Sequence, residues 1–182
     1  MNASRRSAAR AYTLIEVLVV VTVLGIAAAM IVPSMDSAGV LRVQAAVRTV
    51  VADLTFAQSD ALAFQNGRAV VFYPDENRYV ICEVRGTTID PDNDRISESR
   101  FNASRFGDSR IHGARFGDGS TLIFDEMGGP VTEAGGNVPA PNGTITINGS
   151  RQRFEITVEG YTGRVTVRRV ADEDTVDPDA PE

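Results

Sequence analysis

Glu16 is the residue of this 182-residue sequence whose type and position carry the most chemistry. It sits in Tyr12-Thr13-Leu14-Ile15-Glu16-Val17-Leu18-Val19, and the 19 residues from Val17 to Met35 carry no charge. At about 1.5 Å of rise per helical residue that run spans about 28 Å, close to the hydrocarbon thickness of a bilayer. A carboxylate set into such a run is costly unless a cation neutralises it, so Glu16 needs a partner.

Other groups offer less. Asp90, Asp92 and Asp94 repeat oxygen ligands at the spacing that opens a calcium loop, but Arg95 stands where the glycine belongs and Phe101 where the distal carboxylate belongs. A solvated acidic turn is the expectation, the three aspartates staying as metal candidates in an irregular loop, and no cofactor is expected. Arginines recur at 95, 100, 105, 110 and 115, and Arg164 and Arg168, with Arg169, add charge near the last strand. On a strand Arg164 and Arg168 share a face and could contact DNA. The interleaved Asp90, Asp92, Asp94, Glu98, Asp108 and Asp118 favour surface ion pairs instead. His112 and Cys82 are single and far apart, so no nucleophile, base and orienting group can be assembled from them, and no enzyme activity is expected. Cys82 reads as a small buried residue in mid-strand, and His112 as exposed.

All 18 basic residues are arginines, against 24 acidic residues, for a net charge of −6. Without residues 1–11 the chain loses Arg5, Arg6 and Arg10 and falls to −9. Bulk charge thus opposes nucleic acid as a partner. Those arginines precede the apolar run, whereas Asp36 comes after it and before Arg42, so positive-inside bias puts the amino end in the cytoplasm and the body outside.

A secretory signal peptide cut near Ala27-Ala28-Ala29 would explain the basic start, but not the acidic residue or the length of the run. Ser4-Arg5-Arg6 hints at a twin-arginine signal, yet Ser7-Ala8-Ala9 lacks the hydrophobic continuation. A plain single-pass anchor leaves Glu16 unexplained. The stretch Tyr12 to Val19 resembles the prepilin-type cleavage and methylation motif of type IV pilins and type II secretion pseudopilins. The resemblance implies cleavage by a prepilin peptidase between Ala11 and Tyr12 and N-methylation of Tyr12. Ala11 and Tyr12 replace the glycine and phenylalanine usual in that family. Glu16 falls on the family's assembly glutamate and Pro33 on its helix-interrupting proline. The implied partner of Glu16 is then the terminal amine of a neighbouring subunit in a helical fibre.

A long helix and the strands beyond it must position these groups. Pro33 is expected to kink that helix without ending it. Val40, Val47, Leu54 and Ala61 alternate with Val43, Val50, Ala57 and Phe64 in one apolar stripe, with Arg42, Arg48, Asp53 and Asp60 off it and a stop at Asn66-Gly67, the glycine left-handed. A coiled-coil dimer is the rival to docking on a sheet. Residues 68–73 and 78–84 form a hairpin around Pro74-Asp75-Glu76-Asn77, and further strands are expected at 121–124, 144–147, 154–158 and 164–170. Residues 86–119 carry little strand signal but hold two near copies, Arg105-Phe106-Gly107-Asp108 and Arg115-Phe116-Gly117-Asp118. The acidic residues 171–182, with two prolines, are expected to be disordered.

Leu54 to Arg68 with its core Phe56 to Ala61, Leu122-Ile123-Phe124-Asp125 with Gly128-Gly129-Pro130, and Gly163 to Val167 are similar to the GspH/FimT group of minor pseudopilins and pilins. The expected fold is α+β and pilin-like: a long N-terminal helix, transmembrane in one half and amphipathic in the other, on antiparallel sheet. The expected organisation is a leader at 1–11, a transmembrane polymerisation segment at 12–35, a periplasmic body at 36–170 with helix 36–66 and strands 68–170, and the tail at 171–182. The role implied is a minor pseudopilin of a type II secretion system. The alternatives are a minor pilin of a type IV or DNA-uptake pilus and a simple membrane-tethered binding protein. Implied partners are other pseudopilins or pilins, the prepilin peptidase and an inner-membrane assembly platform.

Overall fold

The computed structural model describes residues 12–170, with the side chains of 29–38 outside the description. The leader with Ala11, the side chain of Pro33 and the acidic segment 171–182 therefore lie outside the described residues. The chain divides into two compact units, 1–38 and 39–182.

The backbone is helical from Leu14 to Phe64 (α1), the helical assignment running through Pro33. Thr13 starts it: its carbonyl accepts from the amides of Glu16 and Val17, and its hydroxyl accepts from Glu16 N–H at 3.3 Å. Thr13-Leu14-Ile15-Glu16 has the capping-box spacing, in which a hydroxyl satisfies an orphan amide of the first turn.

In the second unit the expected stripe is buried at Val43, Val47, Val50, Leu54, Ala57 and Ala61, joined by Ala46, while Val40 is half-buried. Phe64 departs from it and is 69% exposed. The helix stop differs too. Gln65, not Gly67, takes the left-handed conformation (φ 49°). Gly67 is required by close packing instead, because a Cβ there would meet Val84 Cβ at 3.0 Å and the Phe124 carbonyl at 3.3 Å.

Ten strands come after the helix among the described residues: β1 Arg68–Tyr73, β2 Arg78–Arg85, β3 Thr88–Ile89, β4 Arg95–Arg100, β5 Arg110–Arg115, β6 Thr121–Phe124, β7 Pro130–Val131, β8 Gly143–Gly149, β9 Gln152–Val158 and β10 Val165–Val170, with a one-turn helix α2, Ala103–Phe106. They form two antiparallel sheets. One has the order β3-β2-β1-β6-β7 with β4 also on β2, the other β10-β9-β8-β5. The expectation of little strand in 86–119 is thus corrected, since β3, β4 and β5 lie there. The expected last strand is trimmed as well, because β10 begins at Val165 and leaves Arg164 in the preceding turn.

One core joins the stripe of α1 to both sheets. Val70, Phe72, Tyr79, Ile81, Leu122 and Phe124 come from the first, and Ile111, Ile145, Ile147, Ile156 and Val158 from the second. This docking, rather than a coiled coil, occupies the helix stripe. The alternate residues of the first sheet, Ala69, Cys82, Val84, Ile123 and Val131, make a smaller cluster on its far face, as the period of two requires. The two near copies have a shared local form. Phe106 and Phe116 are both buried, and each is succeeded by a glycine at positive φ.

Candidate functional site

In the first unit Tyr12 lies two residues before α1 begins and Glu16 lies in its first turn. Tyr12 and Glu16 flank a common hollow with Val17 and Val20. Tyr12 is 79% exposed, and large apolar side chains from Leu14 to Ile26 are all more than half exposed. A helix that is apolar all round is stable in water only when lipid or other helices cover it. Among the described residues no helix is long and apolar enough to cross a membrane. The uncharged run read from the sequence continues to Met35, past the last described side chain of that unit at residue 28. The backbone amide of Glu16 is used by Thr13, while its carboxylate has no partner among the described residues.

In the second unit the three segments singled out in sequence converge on Gln58. Its side-chain amide donates to the Gly128 carbonyl at 2.8 Å, in the β6–β7 turn, and to the Thr162 carbonyl at 3.1 Å, in the β9–β10 turn. One helix residue thereby links the two sheets. Both turns need glycine. Gly128 (φ 72°) would place a Cβ 2.9 Å from Leu62 Cγ, and Gly163 (φ 70°) would place one 2.4 Å from Gln58 Nε2. Asp125 closes the first turn by accepting from the amides of Met127 and Gly129 at 2.9 and 2.7 Å.

Asn77 does the same work at the other end. It sits left-handed (φ 53°) after Pro74–Glu76 in the expected hairpin turn. Its Nδ2 donates to the carbonyls of Phe101 and Ser109, both at 3.2 Å, and its Oδ1 accepts from Ile111 N–H at 2.8 Å. The β1–β2 turn of one sheet is thereby tied to β5 of the other.

Asp53 and Asp60, expected off the stripe, are correctly off it but not free. Asp53 Oδ2 accepts from Tyr79 Oη at 2.5 Å and from Ser99 Oγ at 2.9 Å. Burial, then the hydrogen bond to Asp53, pushes the Tyr79 phenol well above its ordinary range. Asp60 accepts from Arg68 Nε at 2.5 Å, with both side chains nearly buried. Arg68 Nη1 also donates to the carbonyls of Asn66 and Gly67, just beyond the helix end. Charge spacing on the helix gave no sign of these partners, which come from strands.

The acidic triplet is used internally. Asp90 accepts from the amides of Asp92 and Asn93, both at 3.0 Å, and from Asn93 Nδ2 at 2.7 Å, which holds its carboxyl below the usual range. Asp94 pairs with Arg85 at 3.0 Å. Among the described residues no three metal-ligating side chains gather into a metal-sized cluster. The arginines offered for DNA are paired as well. Arg164 bonds Glu159, lowering that carboxyl, and Arg168 bonds Glu155 at 3.0 Å. The two no longer share a strand. Cys82 is buried, its thiol pushed up to about 11, chiefly by desolvation. His112 is exposed on β5.

Comparison with known proteins adds two findings. Residues 6–32 match the family model for the prokaryotic N-terminal methylation motif. A search of curated proteins with this sequence found no match. Among solved structures the chain is similar to the type IV minor pilin FimU of Pseudomonas aeruginosa, at 16% identity and a TM-score of 0.50 over 69% of this chain and 87% of that one. It is also similar to the minor pseudopilin EpsH from the Type 2 Secretion System of Vibrio cholerae, at 11% identity and a TM-score of 0.49 over 71% and 97%. At such identities a structural match speaks to fold alone. An N-terminal methylation motif is thus joined to an α+β body similar in fold to a type IV minor pilin.

Proposed function

We propose that this chain is a minor subunit of a pilin-like fibre, structural rather than enzymatic. Residues 12–35 would hold it in the inner membrane, amino end in the cytoplasm and body outside, until it assembles. The observation that carries this is the methylation motif on a helical segment whose described large apolar side chains, from Leu14 to Ile26, are all exposed. Such a surface is suited both to lipid and to the packed helices of a fibre. In this reading a prepilin peptidase cuts after Ala11, Tyr12 is methylated, and an inner-membrane platform assembles the product. The unpartnered carboxylate of Glu16 then meets the terminal ammonium of a neighbour, which fixes the stagger between helices. Pro33 would allow the helix to bend or melt there during assembly.

The fibre we propose first is the pseudopilus of a type II secretion system. A type IV pilus is the second reading, favoured by the likeness of the body to a type IV minor pilin. Deletion strains separate them: loss of exoprotein secretion with normal piliation supports the first, and the reverse supports the second. The fibre role itself is tested by Glu16→Gln. The variant is expected in the membrane fraction at normal level but absent from sheared fibres, and normal incorporation would overturn the proposal.

A further inference from the structure

β10 is an outer strand of the second sheet, and β9 is its one neighbour among the described strands. The amide of Glu159 donates to the Arg164 carbonyl at 2.9 Å, which makes these two residues a hydrogen-bonded pair, and antiparallel pairing alternates from there. Thr166, Arg168 and Val170 therefore bond to β9, while Val165, Val167 and Arg169 turn their N–H and C=O groups to the open side. None of these outward groups has a partner among the described residues. The edge lacks the devices that keep strands apart: it runs six residues in unbroken register with β9 and contains no proline. The opposite edge, β5, is blunted by its register shift and by Asn77, whose Oδ1 takes the Ile111 amide at 2.8 Å.

Beside the open edge lies an apolar hollow of about 420 Å³ between α1 and the sheet, lined by Val47, Val51, Ala52, Phe154 and Val167, with Arg48 among them. Val165 packs on the core, so Val167 and Arg169, each two residues further, share its helix-side face. Val167 is nevertheless 44% exposed. Arg48 and Arg169 are exposed too, and neither has an ion-pair partner among the described residues. Unused backbone groups in a row select an extended strand, the hollow selects an apolar side chain on it, and the two unpaired guanidiniums select negative charge.

We propose that β10 is a docking edge for an extended acidic segment of another protein, which adds a fifth strand to the four of the second sheet. The residue opposite Val167 is apolar and enters the hollow. The residue two positions away on the same face, opposite Arg169, is a carboxylate. A second β10 fits poorly, because self-pairing brings Arg168 and Arg169 of both strands into one seam.

The test takes the full chain in detergent and a capped synthetic probe, Thr-Glu-Thr-Leu-Thr-Val-Thr, which in antiparallel register sets its Glu opposite Arg169, its Leu opposite Val167 and its Val opposite Val165. Residue-resolved amide exchange is the readout. Without the probe, the amides of Val165, Val167 and Arg169 are expected to exchange near their intrinsic rates and those of Thr166 and Arg168 more slowly; with saturating probe the first three slow by about tenfold or more. The same probe N-methylated on its Glu, Leu and Val, whose N–H groups face β10, is expected to bind about tenfold more weakly or worse. Arg169→Glu is expected to weaken the acidic probe by about threefold or more and to prefer a probe carrying Lys in place of Glu. Alternating protection already present without the probe, equal binding of the N-methylated probe, an unchanged charge preference in Arg169→Glu, or no added protection at about 1 mM probe would overturn the proposal.

Discussion

Asp60 and Arg68 show how much a single charged pair can decide in this body. Both side chains are nearly buried, and Arg68 also caps carbonyls beyond the helix end and lies 5.7 Å from the Phe64 ring. Removing one partner strands the other charge in a shielded place, so Asp60→Ala is expected to cost about 3–5 kcal/mol in urea unfolding. A loss below about 1 kcal/mol would reduce the pair to a surface contact. Asp108 predicts a pH response. The amide of Ser150 donates to it at 2.6 Å and holds its carboxyl below the ordinary value. A depressed carboxyl contributes stability above the unfolded value near pH 4, and that contribution is lost as pH falls through the folded value. Protection of the Ser150 amide relative to its intrinsic exchange rate should therefore persist at about pH 4 and be lost only at lower pH; protection lost already above about pH 4 or unchanged at strongly acid pH would contradict the assignment. These pairings were not legible in the sequence. A carboxylate off the apolar stripe looks the same whether it faces water or a tyrosine or arginine delivered by a distant strand.

At the scale of elements, the fold rests on the helix meeting both sheets at once, and Gln58 is where that meeting is tightest. Gln58→Ala removes two hydrogen bonds and is expected to cost about 1–3 kcal/mol. Gly163→Ala adds a methyl into Gln58 at positive φ and is expected to cost a similar amount. The double variant should cost clearly less than the sum, because losing the Gln58 side chain relieves the clash; additive unfolding energies would separate the two residues. The elements themselves were unevenly legible. β1 and β6 stand in the sequence at their observed bounds because Val70, Phe72, Leu122 and Phe124 alternate into a core. β4 did not, because as an outer strand on β2 it buries none of its six residues. β5 did not either, since a register shift between Ile111 and Gly113 breaks the alternation. The Gly-rich turns were noticed as motifs, but their shared partner Gln58 is visible only once the helix lies over both.

For the whole molecule, an apolar helical segment whose described side chains, 12–28, are exposed and a body held together by its two sheets would divide the labour in the proposed reading. In that reading the helix would supply anchoring and polymerisation, and the body the surface that other subunits recognise. The methylation motif was legible because its chemistry is local: arginines, then one carboxylate in an apolar run. What the proposed fibre would serve was not, since both alternatives would use the same anchor. The account depends most directly on what terminus the native chain carries in its membrane. Terminal-peptide mass spectrometry of membrane-extracted protein, with and without the prepilin peptidase, measures this. The account predicts a chain that begins at N-methylated Tyr12 when the peptidase is present and retains residues 1–11 when it is absent; a native chain that still starts at Met1, or that begins past Ala29, would contradict it.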